Sequence, residues 1–368
     1  MTSDVTIPLR KIHWILPVCW GLLLAAGAMA AEITRPLISV REYGAVGDGV
    51  ASDTAAVQQA VDARARQQGG TVTFSPGVYL CGELTLKSDT TLRLESGAVL
   101  RGSNRKADYA PRETIPFRND ADVETRYIHP ALLFAENAAR IAIVGDGAIE
   151  MAFTRRGGPK PIALKRCAGV MIRGIKILNA PNYAVSLLGA EDVLIDGITI
   201  LNAYADGIDP DSCKNVRIMN CHIESVDDAI VPKSSFSLGE RRPSENIVVS
   251  NCFMATRCNG FKLGTESGGG FRQIAVNNCV ITGMPGKSPA LAGIALESVD
   301  GGILEGVVVS NITMKNVRSP LFLRLGNRGR DMDTPKPGAL RQVAISNITA
   351  VGASMTCNIV GIPSAAIE

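Results

Sequence analysis

Aromatic residues make up only 5% of this 368-residue chain, and its two tryptophans, Trp14 and Trp20, both fall within the first twenty positions. Few large rings and 37 glycines suit a turn-rich chain of thin, stacked aliphatic strands better than a helical enzyme. An excess of one charge is missing too. Lys+Arg number 38 against 35 Asp+Glu, a net +3, without the strong basic stripe of a nucleic-acid binder. Apolar residues are 46% and charged residues 20%, ordinary globular usage that excludes disorder along most of the chain. Histidines number three, and no CxxC or Cys/His cluster has zinc spacing, so no structural metal is expected. Long apolar runs are absent except for residues 12–28. Arg10 and Lys11 precede that run, and Ala28-Met29-Ala30 offers a small-x-small cleavage site. It is short for spanning ~30 Å, and no basic stop-transfer cluster follows. Residues 1–30 are therefore read as a secretory signal, cleaved after Ala30.

Cleavage would leave eight cysteines: Cys81, Cys167, Cys213, Cys221, Cys252, Cys258, Cys279 and Cys357. An even number in an exported protein permits disulfides without fixing their pairing. Several lie in apolar strand patterns, where a small buried thiol is an equal reading.

What the chain does have is a repeat. An alternating apolar stretch ending in Gly or Asn recurs at residues 141–145, 170–174, 193–197, 216–220, 247–251, 274–278, 307–311 and 343–347. The steps between fifth positions are 29, 23, 23, 31, 27, 33 and 36. Alternation marks a half-buried strand, and Gly or Asn marks a sharp turn, because both tolerate left-handed backbone. No helical pattern intervenes, which excludes a βαβ array. Units this thin cannot bury their own apolar faces; stacked at ~4.8 Å they share one core. The fold class predicted is all-β, a right-handed parallel β-helix, with asparagines 220, 251, 278, 311 and 347 laddered along one corner. Length alone would suggest two domains. A solenoid instead makes residues 31–368 a single domain.

At the N-terminal end, residues 54–67 carry Ala56, Val57, Ala60, Val61 and Ala65 on a helical period. Asp53 is placed to cap this short helix and Gly69-Gly70 to stop it, so that it plugs the end of the stack. Ala-Ile-Glu368 ends where another strand should begin, so the C-terminal end is expected to lack its cap or further coils.

Residues 39–81 resemble the N-terminal signature of many pectin-lyase-like β-helix proteins, a signature specific for fold and poor for activity. Residues 182–233 resemble glycoside hydrolase family 28, the polygalacturonases and their relatives. That family carries Asn-Thr-Asp-Gly-Ile-Asp and, some twenty residues on, Gly-Asp-Asp. The matching residues here are Tyr204-Ala205-Asp206-Gly207-Ile208-Asp209 and Val226-Asp227-Asp228. The resemblance runs from about Val40 to the end.

The residues themselves point the same way. Asp206 and Asp227 are 21 positions apart, about one coil, so they should share a face on neighbouring rungs. Three carboxylates in one patch raise one another's pKa. One can then stay protonated as a general acid while another, ionised, activates water, the pair that glycoside hydrolysis needs. The resemblance implies inversion, with Asp227 as acid and Asp206 and Asp228 as base; spacing alone does not separate Asp227 from Asp228. Asp209 is read as bracing its turn before Pro210.

The chain also departs from the family. Gly-His-Gly becomes Cys258-Asn259-Gly260, and a titrating histidine becomes Asn259. Arg-Ile-Lys, whose cations grip a uronate carboxylate, becomes Ala295-Leu296-Glu297. Either the sugar bound has no carboxylate at the cleaved residue, or other cations have taken over. Lys233 and Lys262 are the first candidates, followed by Arg257, Arg272, Arg324 and Arg328. Asn259, Tyr204 and Glu297 complete the expected substrate-binding set, with Glu266 a further acidic candidate. Without tryptophan, sugar stacking would fall to Tyr183, Tyr204 or Phe261. Of the histidines, His222 is read as structural and His129 is unassigned.

The function expected is an exported glycosidase, secreted or periplasmic, acting as a monomer on pectin-related polysaccharide or oligosaccharide. No cofactor, nucleic-acid partner or membrane attachment after cleavage is expected. A β-eliminating lyase and a non-catalytic glycan-binding helix are the alternatives.

Overall fold

The computed structural model describes residues 37–284 and 286–368. The signal-like segment 1–30 lies outside the described residues. No helix among them is long and apolar enough to cross a membrane.

The chain folds as a right-handed parallel β-helix. Every named strand pair is parallel, and successive coils stack on three faces. The repeated apolar stretches register against one another. Val170 sits opposite both Ile141 and Val193, and the line continues through Val216, Ile247, Ile274, Val307 and Val343. A shift of one residue would turn each apolar side chain outward, so alternation and register enforce one another. The inward residues form one apolar core along the stack, with Ile143, Ile172, Ile195, Ile218 and Val249 fully buried.

The corner asparagines adopt the left-handed backbone that the turn requires. Asn220, Asn251, Asn278, Asn311 and Asn347 have φ between 52° and 57°. Asn311 Nδ2 donates to Asn278 Oδ1 at 3.1 Å and Asn347 Nδ2 to Asn311 Oδ1 at 3.0 Å. Asn251 reaches Asn220 at 3.4 Å, and Asn220 reaches Asp196 at 2.8 Å. A second ladder lies at the strand starts, where Asn246 donates to Asn215 and Asn215 to Asp192.

The helix Thr54–Arg66 forms, and Val57, Ala60 and Val61 join the core beside the strands Gly70–Phe74 and Leu84–Thr85. Its expected cap does not. The Asp53 carboxylate makes no capping bond; it accepts from the Val46 and Gly47 amides at 2.6 and 3.0 Å. Two amides of a neighbouring loop compete better for a buried carboxylate than the helix's own first turn.

All eight described cysteines are free thiols, six of them buried in the stack. Adding dithiothreitol should therefore leave the thermal unfolding midpoint unchanged; a fall of several degrees would reveal a bridge.

Candidate active site

The site occupies the turns that lead onto the third face. Three strands, Thr199–Ala203, His222–Ser225 and Phe253–Thr256, each run into such a turn. The turn backbones continue the ladder: Gly207 N donates to Asp228 O at 2.9 Å, and Ala229 N to Asn259 O at 2.9 Å. Asp206, Asp228 and Asn259 are thereby stacked one above another. Gly207 is needed by this close approach, since a Cβ there would lie 2.4 Å from Ala229 O and 2.6 Å from Ile223 Cγ2. Asp227 stands one position before the stacked line. Ser225 Oγ and Thr256 Oγ1 both donate to its carbonyl.

The ladder thus separates the two adjacent carboxylates that spacing left equivalent. Asp206 and Asp228 are each 3% exposed, while the Asp227 side chain is 27% exposed. The three still meet at one point. The Asp228 amide donates to Asp206 Oδ1 at 3.2 Å and to Asp227 Oδ1 at 3.1 Å.

Each carboxylate has its own cation. Lys233 Nζ lies 2.9 Å from Asp206 Oδ2, bonds to Asp209 Oδ2, and sits 4.0 Å from the centre of the Tyr183 ring. Burial pushes the Asp206 carboxyl well above the ordinary aspartate range; Lys233 opposes this, and the neighbouring aspartates add to it. Asp209 is also raised, again chiefly by burial. Two buried carboxyls share one ammonium, so one of them favours keeping a proton. Although burial depresses it, Lys233 is held well above the lysine range by Asp206 and Asp209, and it stays charged. Asp228 accepts from Asn259 N and Nδ2 at 3.1 and 2.6 Å, and from Lys262 Nζ at 3.1 Å. Burial pushes the Glu297 carboxyl up despite Lys262 nearby.

Asp227 differs. Arg156 Nη1 donates to Asp227 Oδ2 at 2.5 Å. Arg156 is itself held by a fork to Glu124, with Nε–Oε1 at 2.6 Å and Nη2–Oε2 at 2.9 Å. Partial burial pushes Asp227 up, but the bond and charge of Arg156 outweigh it and hold the carboxyl below the ordinary range. Glu124 lies on the one-turn helix Val123–Arg126. The buried Lys160 secures that turn through the Glu124 and Tyr127 carbonyls at 2.8 and 2.9 Å; burial brings Lys160 down to about 8.

The predicted residues therefore divide. Asp206, Asp227, Asp228, Lys233, Asn259 and Lys262 come together, with Glu297 beside Lys262. Lys233 is enclosed, 4% exposed, and is placed to hold Asp206 rather than to grip a ligand from solvent. Asp209 shares that ammonium instead of only bracing its turn. Tyr204 is half-buried on the same turn as Asp206. Phe261 is fully buried in the core, and Tyr183 is buried with its hydroxyl against Thr125 Oγ1 at 3.0 Å. Neither offers a ring face to a sugar. Arg328 is committed to Asp300 and Glu266 to Arg330. Arg156 and Glu124 were not anticipated, since no repeat pattern marks them and they lie far from the aspartates in sequence. The Asp227 and Asp228 oxygens and Cys258 Sγ lie within 4.8 Å of one another, but Arg156 and Lys262 already face the two carboxylates.

A cavity of about 680 Å³ opens on the Glu124 side of Arg156, and none of the three aspartates lines it. Lys106, Arg112, Glu124, Tyr127, Phe153 and His129 contribute to its lining, and Glu124 links it through Arg156 to Asp227. Two distant loops meet nearby. Arg330 reaches Asp122 at 2.9 Å and Glu266 at 2.6 Å, and the Asp120 amide donates to Asp331 at 2.6 Å.

Comparison with known proteins bears on this site. Residues 145–358 match the model of glycosyl hydrolases family 28. Residues 37–106 match that of rhamnogalacturonase A/epimerase, pectate lyase-like proteins. A probable polygalacturonase of Vitis vinifera is 28% identical over 89% of this chain and 71% of its own length. An exo-poly-alpha-D-galacturonosidase of Dickeya chrysanthemi is 25% identical over 85% of this chain; the chain spans 62% of that relative. The crystal structure of a hyperthermoactive exopolygalacturonase from Thermotoga maritima superposes with a TM-score of 0.72 at 22% identity, covering 86% of this chain and 81% of its own.

Proposed function

The chain belongs to glycosyl hydrolases family 28 and is a polygalacturonase-like glycosidase; from that premise we propose that it is an exported hydrolase of pectin-related polysaccharide that works with inversion. Asp227, once freed from the Arg156 bond that favours its ionised form, takes up a proton and gives it to the glycosidic oxygen, while Asp206 and Asp228 hold the attacking water. As the water oxygen bonds to the anomeric carbon, the C–O bond to the leaving sugar breaks and the water proton passes to the buried carboxylates. The observation that carries this reading is the Asp228 amide bonded to both Asp206 and Asp227, which draws carboxylates from two coils to one point. Exposure supports the division of roles. Asp227 alone of the three is open enough to reach a leaving oxygen, and the buried pair is fixed by Lys233 and Lys262. Export rests on the signal-like sequence 1–30, and residues 31–368 are proposed to act as one β-helix unit and as a monomer.

Homogalacturonan, rhamnogalacturonan and neutral glycans, incubated separately with the protein and analysed by mass, test this. Saturated products one water heavier than the cut linkage are expected, and NMR should first show the anomer opposite to the substrate's. Ultraviolet-absorbing unsaturated products would replace hydrolysis by elimination. Binding without any release of reducing sugar would leave a glycan-binding helix.

A further inference from the structure

The family's paired uronate-gripping cations are replaced by Ala295 and Glu297, so a charge account of the site matters. Lys233 is buried and spent on Asp206 and Asp209. Lys262 is spent on Asp228, with Glu297 as a second negative neighbour. Arg156 differs from both. Its side chain is 42% exposed, and it arrives from the loop after the strand Ala148–Met151. Two of its N–H groups are locked on Glu124, which leaves the Nη1 end as the part that touches Asp227. The same Glu124 lines the open cavity, whose rim carries Lys106 and Arg112. Neither of those cations has a salt-bridge partner among the described residues.

We propose that Arg156 is the specificity-determining residue of this site: its Nη1 closes on Asp227 in the free protein and passes to the carboxylate of an acidic sugar when one binds, releasing Asp227. The inference rests on the hydrolase reading above and deepens it. A guanidinium held by a fork at one edge keeps its direction while its free end exchanges one carboxylate for another. An acidic sugar would thus both dock and set the acid free; a neutral sugar would leave Asp227 paired. The other groups facing Asp227 are Asp228 beside it, Lys233 further along the same coil, Asp206 from the preceding coil, and Cys258 from the next turn. None of these can move to a ligand as Arg156 can.

Arg156→Gln and Arg156→Lys test this on oligogalacturonate and its methyl ester. Arg156→Gln should lower the acid-to-ester ratio of kcat/KM by about tenfold or more, and Arg156→Lys should restore part of it. In the wild type the basic limb of kcat/KM should lie below that of kcat, because free Asp227 carries the arginine; in Arg156→Gln the two limbs should coincide. Calorimetric binding of the two probes supplies a readout that needs no turnover, with the acidic probe alone weakened about tenfold in Arg156→Gln. An unchanged thermal midpoint shows that the variants fold. Equal losses on both probes, equal binding of both probes by the wild type, or limbs that do not move would each overturn the proposal. If wild-type protein binds the acidic probe through Arg156 but releases no product, the hydrolase reading fails and the arginine assignment stands.

Discussion

Replacing Asp227 by asparagine should lower kcat by about 10²- to 10⁴-fold, the usual worth of a positioned general acid, with the thermal unfolding midpoint nearly unchanged. The side chain is partly exposed, and asparagine keeps an oxygen for the Arg156 bond, so little packing is lost. The effect should fall on kcat more than on KM, since the proton is delivered only as the bond breaks. Asp228→Asn should lose activity too, but with a stability penalty, because Lys262 would lose the charge it pairs with at 3.1 Å. Initial rates and melting curves on both variants separate the two roles. Wild-type turnover in Asp227→Asn would remove this residue from the chemistry.

Lys233→Met should be the most destabilising single change at the site, by about 3–5 kcal/mol, because it strands two buried carboxyls without their cation. The penalty should depend on pH with a definite sign. Asp206 and Asp209 have folded-state pKa values raised by burial, and removing Lys233 raises them further. An unfolded chain gives up these protons first, so stability falls as pH rises through the window between ordinary and raised values. The variant should therefore approach wild type near pH 4 and diverge toward pH 7. In the wild type Lys233 adds stability below the ordinary lysine pKa, and that contribution fades only as pH rises beyond it toward the raised value. Denaturant midpoints for both proteins across this range provide the check, and a penalty that does not vary with pH would contradict the assignment of charge.

The stack was legible because its physics is local and periodic. Alternating residues bury one side of each strand, and a left-handed turn residue ends it, so the eight repeats pair in line; the strands Leu37–Ser39, Gly70–Phe74 and Thr90–Leu94 extend that line without carrying the pattern as plainly. The asparagine corner followed for the same reason. The acidic trio was legible as a cluster but not as individuals. A spacing of 21 sets Asp206 near Asp227, whereas the ladder of Gly207 N to Asp228 O puts Asp228 in line and turns Asp227 outward. Asp53 had a free choice of amides, and nothing in a helix-start pattern says that Val46 and Gly47 would win. Phe261 has the right composition for sugar stacking, but its inward position on the strand Asn259–Leu263 commits it to the core. Arg156 was hidden because its place depends on a loop outside the repeat and on Glu124 thirty-two positions earlier.

The tie between Arg330, Asp122 and Glu266 has a consequence in time. Residues 122 and 330 are 208 positions apart, so the coils that carry Asp206, Asp227 and Asp228 emerge from the ribosome before this knot can be tied. A chain threading outward from its N-terminus would present its aspartates early and its finished rim last. Competence would then arrive in one late step, after the stack beneath has already set.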